Sequence, residues 1–179
     1  MNTADSLRGK WWNAVFFLTT LLVVTTDQLS KIWIRSNLAA GQSLFEVGFF
    51  RITRVHNTGA AFGLFQGQSF ALTIIALIGV AAILAYTLIF SRRFPFPENR
   101  LSKPTLGLVL GGTTGNLIDR LNPNLGGVTD FISIGIWPTF NIADAAITVA
   151  VILFAYCLHS LSRVKQSDSP VYSTKIRNL

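Results

Sequence analysis

Two aspartates, Asp130 and Asp144, lie within the largely apolar stretch VTDFISIGIWPTFNIADAAI, which covers residues 128–147. Fourteen positions separate them, with Trp137-Pro138 in between, so the two side chains cannot share one helix. Two carboxylates that are brought together do not both ionise easily and tend to share one proton. One then serves as the base that activates water, and the other as the acid that protonates a carbonyl oxygen or a leaving amine. The pair therefore indicates hydrolysis by an aspartic mechanism, provided that the chain folds back on itself.

Asp144 also has a purely structural interpretation. Asn141 is a good N-cap residue, and a carboxylate three positions later can cap the same helix end and meet its positive dipole. The sequence alone leaves capping and catalysis open for Asp144. Asp130 follows the turn-rich NPNLGG and has no basic residue close to it in the sequence, so no comparable structural role accounts for it.

Further polar residues are predicted near the same boundary of the apolar segments. They are Asp27, Lys31, Asn57, Asn116, Asp119, Arg120 and Asn141. Asp27 and Lys31 are four positions apart, which favours an ion pair over catalysis. For Asp119 and Arg120 the leading interpretation is a mutual contact that braces the end of their helix. Asn116 is expected either to bond across helices or to orient a carboxylate.

The composition assigns these residues to a membrane protein. The chain of 179 residues is 50% hydrophobic and 13% charged, with a mean hydropathy of +0.48, which is too apolar for a typical soluble domain. The sequence predicts an all-α membrane protein with four transmembrane helices in one domain. The spans are about 11–34, 70–90, 101–118 and 142–161, within a single unit of residues 1–179.

Two features of these segments matter for the site. The first segment follows Arg8 and Lys10 but lacks a small-x-small cleavage site, so we interpret it as a retained helix. In the third segment Gly107, Gly111 and Gly115 recur every four residues, which predicts a face for tight helix packing.

Charge distribution gives the orientation. With both termini in the cytoplasm, ten of the fifteen Lys and Arg residues fall on the cytoplasmic side. The formal net charge of +7 then needs no nucleic-acid partner, and no basic-aromatic RNA-binding pattern occurs. The one cysteine, Cys157, and two histidines, His56 and His159, indicate neither a metal site nor a cofactor. His56, on the outer side, is expected at the rim.

The loop of about residues 39–67 is predicted on the outer face. Residues 49–55 alternate as a strand does, with Phe50 and Ile52 on one face, so a small sheet is expected there. The tail of residues 162–179 is polar and is expected in the cytoplasm.

Five ordered motifs resemble those of bacterial lipoprotein signal peptidase (signal peptidase II). They are TTDQLSK, HNTGAAFGLF, GGTTGNLIDR, VTDF and FNIADAAIT, within about residues 27–150. The resemblance implies a multi-pass aspartyl endopeptidase of the bacterial inner membrane, with its site near the outer leaflet. It implies that Asp130 and Asp144 form the catalytic dyad, and that no cofactor is needed. Asn57, Asn116, Arg120 and Asn141 would position substrate or support the dyad, and Asp27, Lys31 and Asp119 would be supportive.

The resemblance also implies the partners. Substrates would be prolipoproteins, cut just before a cysteine that already carries diacylglycerol. The outer loop would form a β-sheet cradle and a short amphipathic flap helix, with Phe62 near lipid or substrate. Cyclic peptide antibiotics such as globomycin would inhibit the enzyme, which is expected to act among membrane lipids as a monomer.

Two other classes of protein remain as alternatives on the residues alone. A proton-coupled transporter also places aspartates in a membrane, although the sequence has no internal repeat to form a transport path. A non-enzymatic membrane scaffold would account for the glycine face but not for two carboxylates without a basic partner.

Overall fold

The computed structural model describes residues 3–60, 65–90 and 101–167. The helices are α1 (Thr3–Asn37), α2 (Ser69–Ala85, followed by a π-helical turn Tyr86–Phe90), α3 (Ser102–Leu121) and α4 (Ile142–Ser167). The strands are β1 (Ser43–Val47), β2 (Phe50–Asn57) and β3 (Val128–Ile134).

Three helical stretches in the described part of the chain are long and apolar enough to cross a membrane. They are Asn13–Asn37, Ser69–Phe90 and Ile142–Ser160. The predicted third span, about 101–118, is also helical and corresponds to α3, which packs against α1, α2 and α4. It carries glycines and polar residues and is largely buried, so it does not have the apolar surface that marks the other three. A membrane protein is thus confirmed, whereas the count of four spans is not.

The glycine face of α3 packs tightly, as predicted, and the helix that it contacts is α1. A Cβ on Gly107 would lie 2.7 Å from the Phe16 carbonyl oxygen, and one on Gly111 would lie 2.7 Å from the Val23 Cβ. A Cβ on Gly115 would lie 2.5 Å from a carboxylate oxygen of α1. Since real Cβ atoms do not approach so closely, only glycine lets the two helices come together at this depth.

The three strands form an antiparallel sheet in the order β1-β2-β3. The strand predicted at 49–55 is confirmed as β2. The segment around Asp130, which must fold back for the two aspartates to meet, forms strand β3, because its β-branched and aromatic residues pair with β2 and place Asp130 opposite Val55. Phe131 packs with Ile34 and Leu38, so the sheet rests against the last turns of α1.

The segment between β2 and α2 is only partly described. Residues 58–60 and 65–68 contain turns and no helix. Residues 61–64, including Phe62, lie outside the described residues, so the flap helix and its contact with lipid or substrate remain predictions.

Candidate active site

Asp130 of β3 and Asp144 of α4 meet at one residue, Asn141. Asn141 Nδ2 donates to Asp130 Oδ1 at 2.6 Å. The Asp144 backbone N–H donates to Asn141 Oδ1 at 2.9 Å, and the Asn141 N–H donates to Asp144 Oδ2 at 3.3 Å. The last two bonds form the reciprocal cap predicted from the sequence, at the residue just before α4. The cap therefore serves to bind both aspartates to the same side chain.

Asn57 approaches Asp130 from β2. Its Nδ2 donates to Asp130 Oδ2 at 2.9 Å, while its Oδ1 accepts the Gly59 backbone N–H at 2.8 Å. A backbone N–H only donates, so the Asn57 oxygen must face Gly59 and its NH₂ group must face the carboxylate. The fold thus determines the orientation of this amide.

Asn116 of α3 serves Asp144 in the same way. Its Nδ2 donates to Asp144 Oδ1 at 2.8 Å, and its Oδ1 accepts from Lys31 Nζ at 2.9 Å. An ammonium group has no acceptor, so the orientation of the Asn116 amide is also determined. Together with Asn141, these amides give each of the four oxygens of the two carboxylates one N–H donor.

Both carboxylates are buried, since Asp130 is 1% and Asp144 9% exposed. Burial raises the pKa of Asp130 from 3.8 to about 7, and the negative charge of Asp144 adds to the rise. The hydrogen bonds from Asn57 and Asn141 and the charge of Lys31 act in the opposite direction without cancelling it. Near neutral pH, Asp130 is therefore suited to hold a proton.

A second group of charged residues lies directly beside the pair. Lys31 Nζ is 2.8 Å from Asp27 Oδ2 and 3.6 Å from Asp119 Oδ2, and Arg35 Nη1 is 3.4 Å from Asp119 Oδ1. The predicted Asp27–Lys31 ion pair is confirmed, although α1 continues beyond it to Asn37.

The acids of this group also bind the backbone that carries the pair. Asp27 Oδ1 accepts the Ala143 N–H at 3.0 Å, and Asp119 Oδ2 accepts the Thr129 N–H at 2.9 Å. Ala143 and Thr129 are the neighbours of Asp144 and Asp130 in the chain. The charged group therefore holds the backbone on which each member of the aspartate pair stands.

Asp119 and Arg120 were predicted to contact each other, but the contacts of each that the structure describes are with other residues. Adjacent residues on a helix point about 100° apart, so their side chains diverge. Asp119 turns toward Lys31 and Arg35, whereas Arg120 Nη2 donates to the Gly59 carbonyl oxygen at 2.9 Å. Arg120 thus supports the loop that follows β2, next to Asn57.

Sequence reasoning missed Arg35 and Gln28 as parts of this site. Arg35 Nη1 also donates to Thr129 Oγ1 at 3.1 Å, and Gln28 Nε2 donates to Asp27 Oδ2 at 3.1 Å. The spacing could have indicated Arg35, because it follows Lys31 by four positions, as Lys31 follows Asp27, and so lies on the same face of α1. His56, predicted at the rim, is exposed on β2. Within the described ranges, no three His, Cys, Asp or Glu side chains are placed to hold a metal ion together.

The fold is similar to that of solved bacterial membrane enzymes. One solved structure, described as a bacterial membrane enzyme, superposes with a TM-score of 0.72 at 29% identity, covering 88% of this chain and 93% of its own. A second structure with the same description gives a TM-score of 0.67 at 31% identity, covering 81% of this chain and 92% of its own.

Sequence comparison identifies the family. The family model of signal peptidase (SPase) II matches residues 19–160. A lipoprotein signal peptidase of Dehalococcoides mccartyi is 52% identical over 139 residues, covering 77% of this chain and 84% of the relative. One of Moorella thermoacetica is 43% identical over 144 residues, covering 80% and 91%. The chain belongs to the signal peptidase II family, which makes it a protease that processes lipoproteins.

Proposed function

We propose that this protein removes signal peptides from prolipoproteins by aspartic catalysis, cutting just before a cysteine that carries diacylglycerol. The observation that carries the proposal is the pairing of Asp130 and Asp144 around Asn141. Two buried carboxylates share this residue, while the ion pairs found among the described residues involve Asp27 and Asp119 instead.

The proposed reaction uses one proton on the pair. Ionised Asp144 takes a proton from a water molecule whose oxygen attacks the scissile carbonyl carbon. Protonated Asp130, with its pKa raised to about 7, gives its proton to the carbonyl oxygen. In the second step the C–N bond breaks, and the proton held by Asp144 passes to the leaving amine of the cysteine. Both aspartates then return to their starting protonation states once Asp130 regains its proton from the tetrahedral hydroxyl.

The surrounding polar residues have separate proposed roles. Asn57, Asn116 and Asn141 hold the two carboxylates by N–H donors of determined orientation. Arg120, which lies beside the loop after β2, positions substrate. Asp27, Lys31 and Asp119 support the backbone and take no part in proton transfer.

The proposed setting is the bacterial inner membrane. Four helices cross it as one domain with both termini in the cytoplasm, which places the site near the outer leaflet. In addition to the three apolar helices, buried α3 is proposed to cross the membrane, since the glycine face of α3 packs along α1. One chain holds all the proposed parts, so we propose an active monomer among membrane lipids, inhibited by globomycin.

The test uses purified protein and a diacylglyceryl-modified prolipoprotein, with products identified by mass spectrometry. We expect a new N-terminus at the lipidated cysteine, and inhibition by globomycin. Asp130→Asn and Asp144→Asn should each lower the rate by about 10²–10⁴-fold, the usual contribution of a general acid or base. Cleavage of the unlipidated precursor at an equal rate would contradict the substrate assignment, and proton transport without cleavage would support the transporter alternative.

A further inference from the structure

One end of the sheet carries a hydrophobic tip whose side chains are largely exposed. Ile132 and Phe140 exchange two backbone hydrogen bonds, of 2.8 and 2.9 Å, so the chain between them forms a hairpin. The Gly135 N–H donates to the Phe49 carbonyl oxygen at 2.7 Å, which joins this hairpin to the turn between β1 and β2. We call Phe49, Ile136 and Trp137 the hairpin tip; their exposed fractions are 75%, 100% and 63%.

Two tryptophans on α1 indicate where the membrane boundaries lie. Trp11 and Trp33 are both largely exposed, and tryptophan is enriched at the two membrane–water interfaces. Twenty-two residues separate them, which is about 33 Å of helix at roughly 1.5 Å per residue. This distance is close to the ~30 Å thickness of a bilayer hydrocarbon core. Trp33 therefore marks the boundary on the side of the site.

The start of α4 lies below that boundary. The Ala143 N–H bonds to the Asp27 side chain at 3.0 Å, so α4 begins at the level of Asp27. Trp33 comes six residues after Asp27 on α1, about 9 Å further along the axis. Leu29 and Ile32, which lie between these two levels, are 62% and 51% exposed. The exposed apolar surface of α1 thus extends from the start of α4 toward Trp33.

The hairpin tip is connected to this level by a short piece of chain. Trp137 precedes Asn141, the N-cap of α4, by four residues, which span at most about 13 Å. Three large apolar side chains exposed together at the end of a sheet form a hydrophobic patch of the kind that marks a membrane or protein interaction site. Trp137 also has the amphipathic ring that suits the headgroup level.

We propose that the hairpin tip is inserted into the phospholipid leaflet on the side of the active site and anchors the sheet there. The partner is the lipid itself, at the boundary between headgroups and acyl chains. Asp130 stands on the strand that leads into this hairpin, so the anchor fixes β3 relative to the membrane. The inference depends on the membrane location and is independent of the aspartic mechanism.

The test measures the depth of a spin label on the full chain in phosphatidylcholine–phosphatidylglycerol vesicles. Cys157→Ala provides a background without cysteine, and Ile136→Cys receives the nitroxide. Asn124→Cys is the matched control, because Asn124 is exposed and is expected in water. It follows the end of α3, where Asp119 pairs with Arg35, and Arg35 lies two residues beyond Trp33 on α1. Collisions with oxygen, which concentrates in lipid, are compared with collisions with a water-soluble nickel chelate.

We expect the label at 136 to collide mainly with oxygen and the label at 124 mainly with the chelate. A label at 136 that favours the chelate would show the tip in water and overturn the proposal. A label protected from both reagents would show a protein contact, such as a second copy, and would overturn it equally. Trp137 fluorescence in a Trp11→Phe, Trp12→Phe, Trp33→Phe variant gives a second readout, with strong quenching expected from lipids brominated near the headgroup.

Discussion

Four buried aspartates lie in two neighbouring regions of the site. The regions differ in whether cations or neutral amides contact the carboxylates. Asp27 and Asp119 form ion pairs with Lys31 and Arg35, two acids with two bases, at 2.8–3.6 Å. Asp130 and Asp144 are surrounded by the neutral amides of three asparagines. We call the first set the charged region and the second the amide region.

The difference teaches what each region is able to do. In the charged region two acids face two bases, so the formal charges cancel, and the two carboxylates hold the backbone in place. Amides donate hydrogen bonds but bring no positive charge, so two carboxylates in the amide region cannot both ionise without a large cost. One proton therefore stays in the amide region, and that proton is available for chemistry.

The largest expected effect on stability follows from removing the shared cation of the charged region. Lys31→Met leaves two buried carboxylates with one cation, Arg35, which contacts Asp119 alone, and we expect a loss of about 3–5 kcal/mol in the free energy of unfolding. Denaturation in detergent micelles measures it. Lys31→Met combined with Asp27→Asn should recover part of the loss. Equal stability of Lys31→Met and the unmodified protein would remove the distinction between the two regions.

Substitution by asparagine should change stability in opposite directions in the two regions. The pKa of Asp130 is raised to about 7 from 3.8, so its contribution to folding is fully present below about pH 4 and is lost as the pH rises to about 7. Asp130→Asn removes this loss and should stabilise the protein at pH 8 by up to about 4 kcal/mol relative to unmodified protein. Asp27→Asn should destabilise it at the same pH, because Lys31 loses its nearest partner.

Unfolding free energies of these two variants, measured between pH 5 and pH 8, check the signs. The advantage of Asp130→Asn should shrink steadily toward pH 5 as the unmodified carboxyl gains its proton. A pH-independent difference, or the same sign for both variants, would contradict the assignment of a retained proton to the amide region.

A smaller effect is expected from removing one amide. Asn116→Ala deletes the N–H donor to Asp144 Oδ1 and the acceptor for Lys31. A hydrogen bond to a charged group contributes about 1.5–3 kcal/mol, so kcat should fall by roughly 10–100-fold. Asn124→Ala, on an exposed turn, is the matched control and should keep the full rate. Steady-state cleavage assays that show a change in KM alone for Asn116→Ala would assign Asn116 to substrate binding instead.

The smallest effect is expected at the outer edge of the charged region. Arg35 is partly exposed and lies 3.4 Å from buried Asp119, while Lys31 lies 3.6 Å from the same carboxylate and remains there when Arg35 is removed. Arg35→Met should therefore cost less than the about 3–5 kcal/mol expected for Lys31→Met. Thermal midpoints of the two variants, measured side by side, decide the order. A larger loss of stability for Arg35→Met than for Lys31→Met would mean that Arg35, not Lys31, stabilises the charged region.

Local sequence rules predicted much of this arrangement. The i to i+4 spacing predicted the Asp27–Lys31 pair, the glycine repeat predicted a packing face on α3, and Asn141 with Asp144 predicted the cap. Each of these depends on residues within about one turn or on one helical period, which the order of residues contains directly.

Long-range pairing was not accessible in the same way. Asp130 lies in a strand because β3 pairs with β2, which is more than 70 positions away in the sequence, and a single segment does not reveal its partner. Asp119 was assigned to its neighbour Arg120, whereas the fold brings it to Arg35 from α1. The assignment of Asp130 and Asp144 as a catalytic dyad came from the family motifs, since the cost of burying them marked these two aspartates as unusual without giving them a role.

The most direct test of the division between the regions is the rate of prolipoprotein cleavage in four matched variants: Asp130→Asn, Asp144→Asn, Asp27→Asn and Asp119→Asn. The rate is expressed per folded molecule, with the folded fraction taken from an independent unfolding measurement. We expect the first two variants to lose about 10²–10⁴-fold in rate while staying folded. We expect the last two to lose stability and to keep most of their rate per folded molecule. Substantial cleavage by folded Asp130→Asn or Asp144→Asn, at a rate near that of the unmodified protein, would contradict the division between the regions.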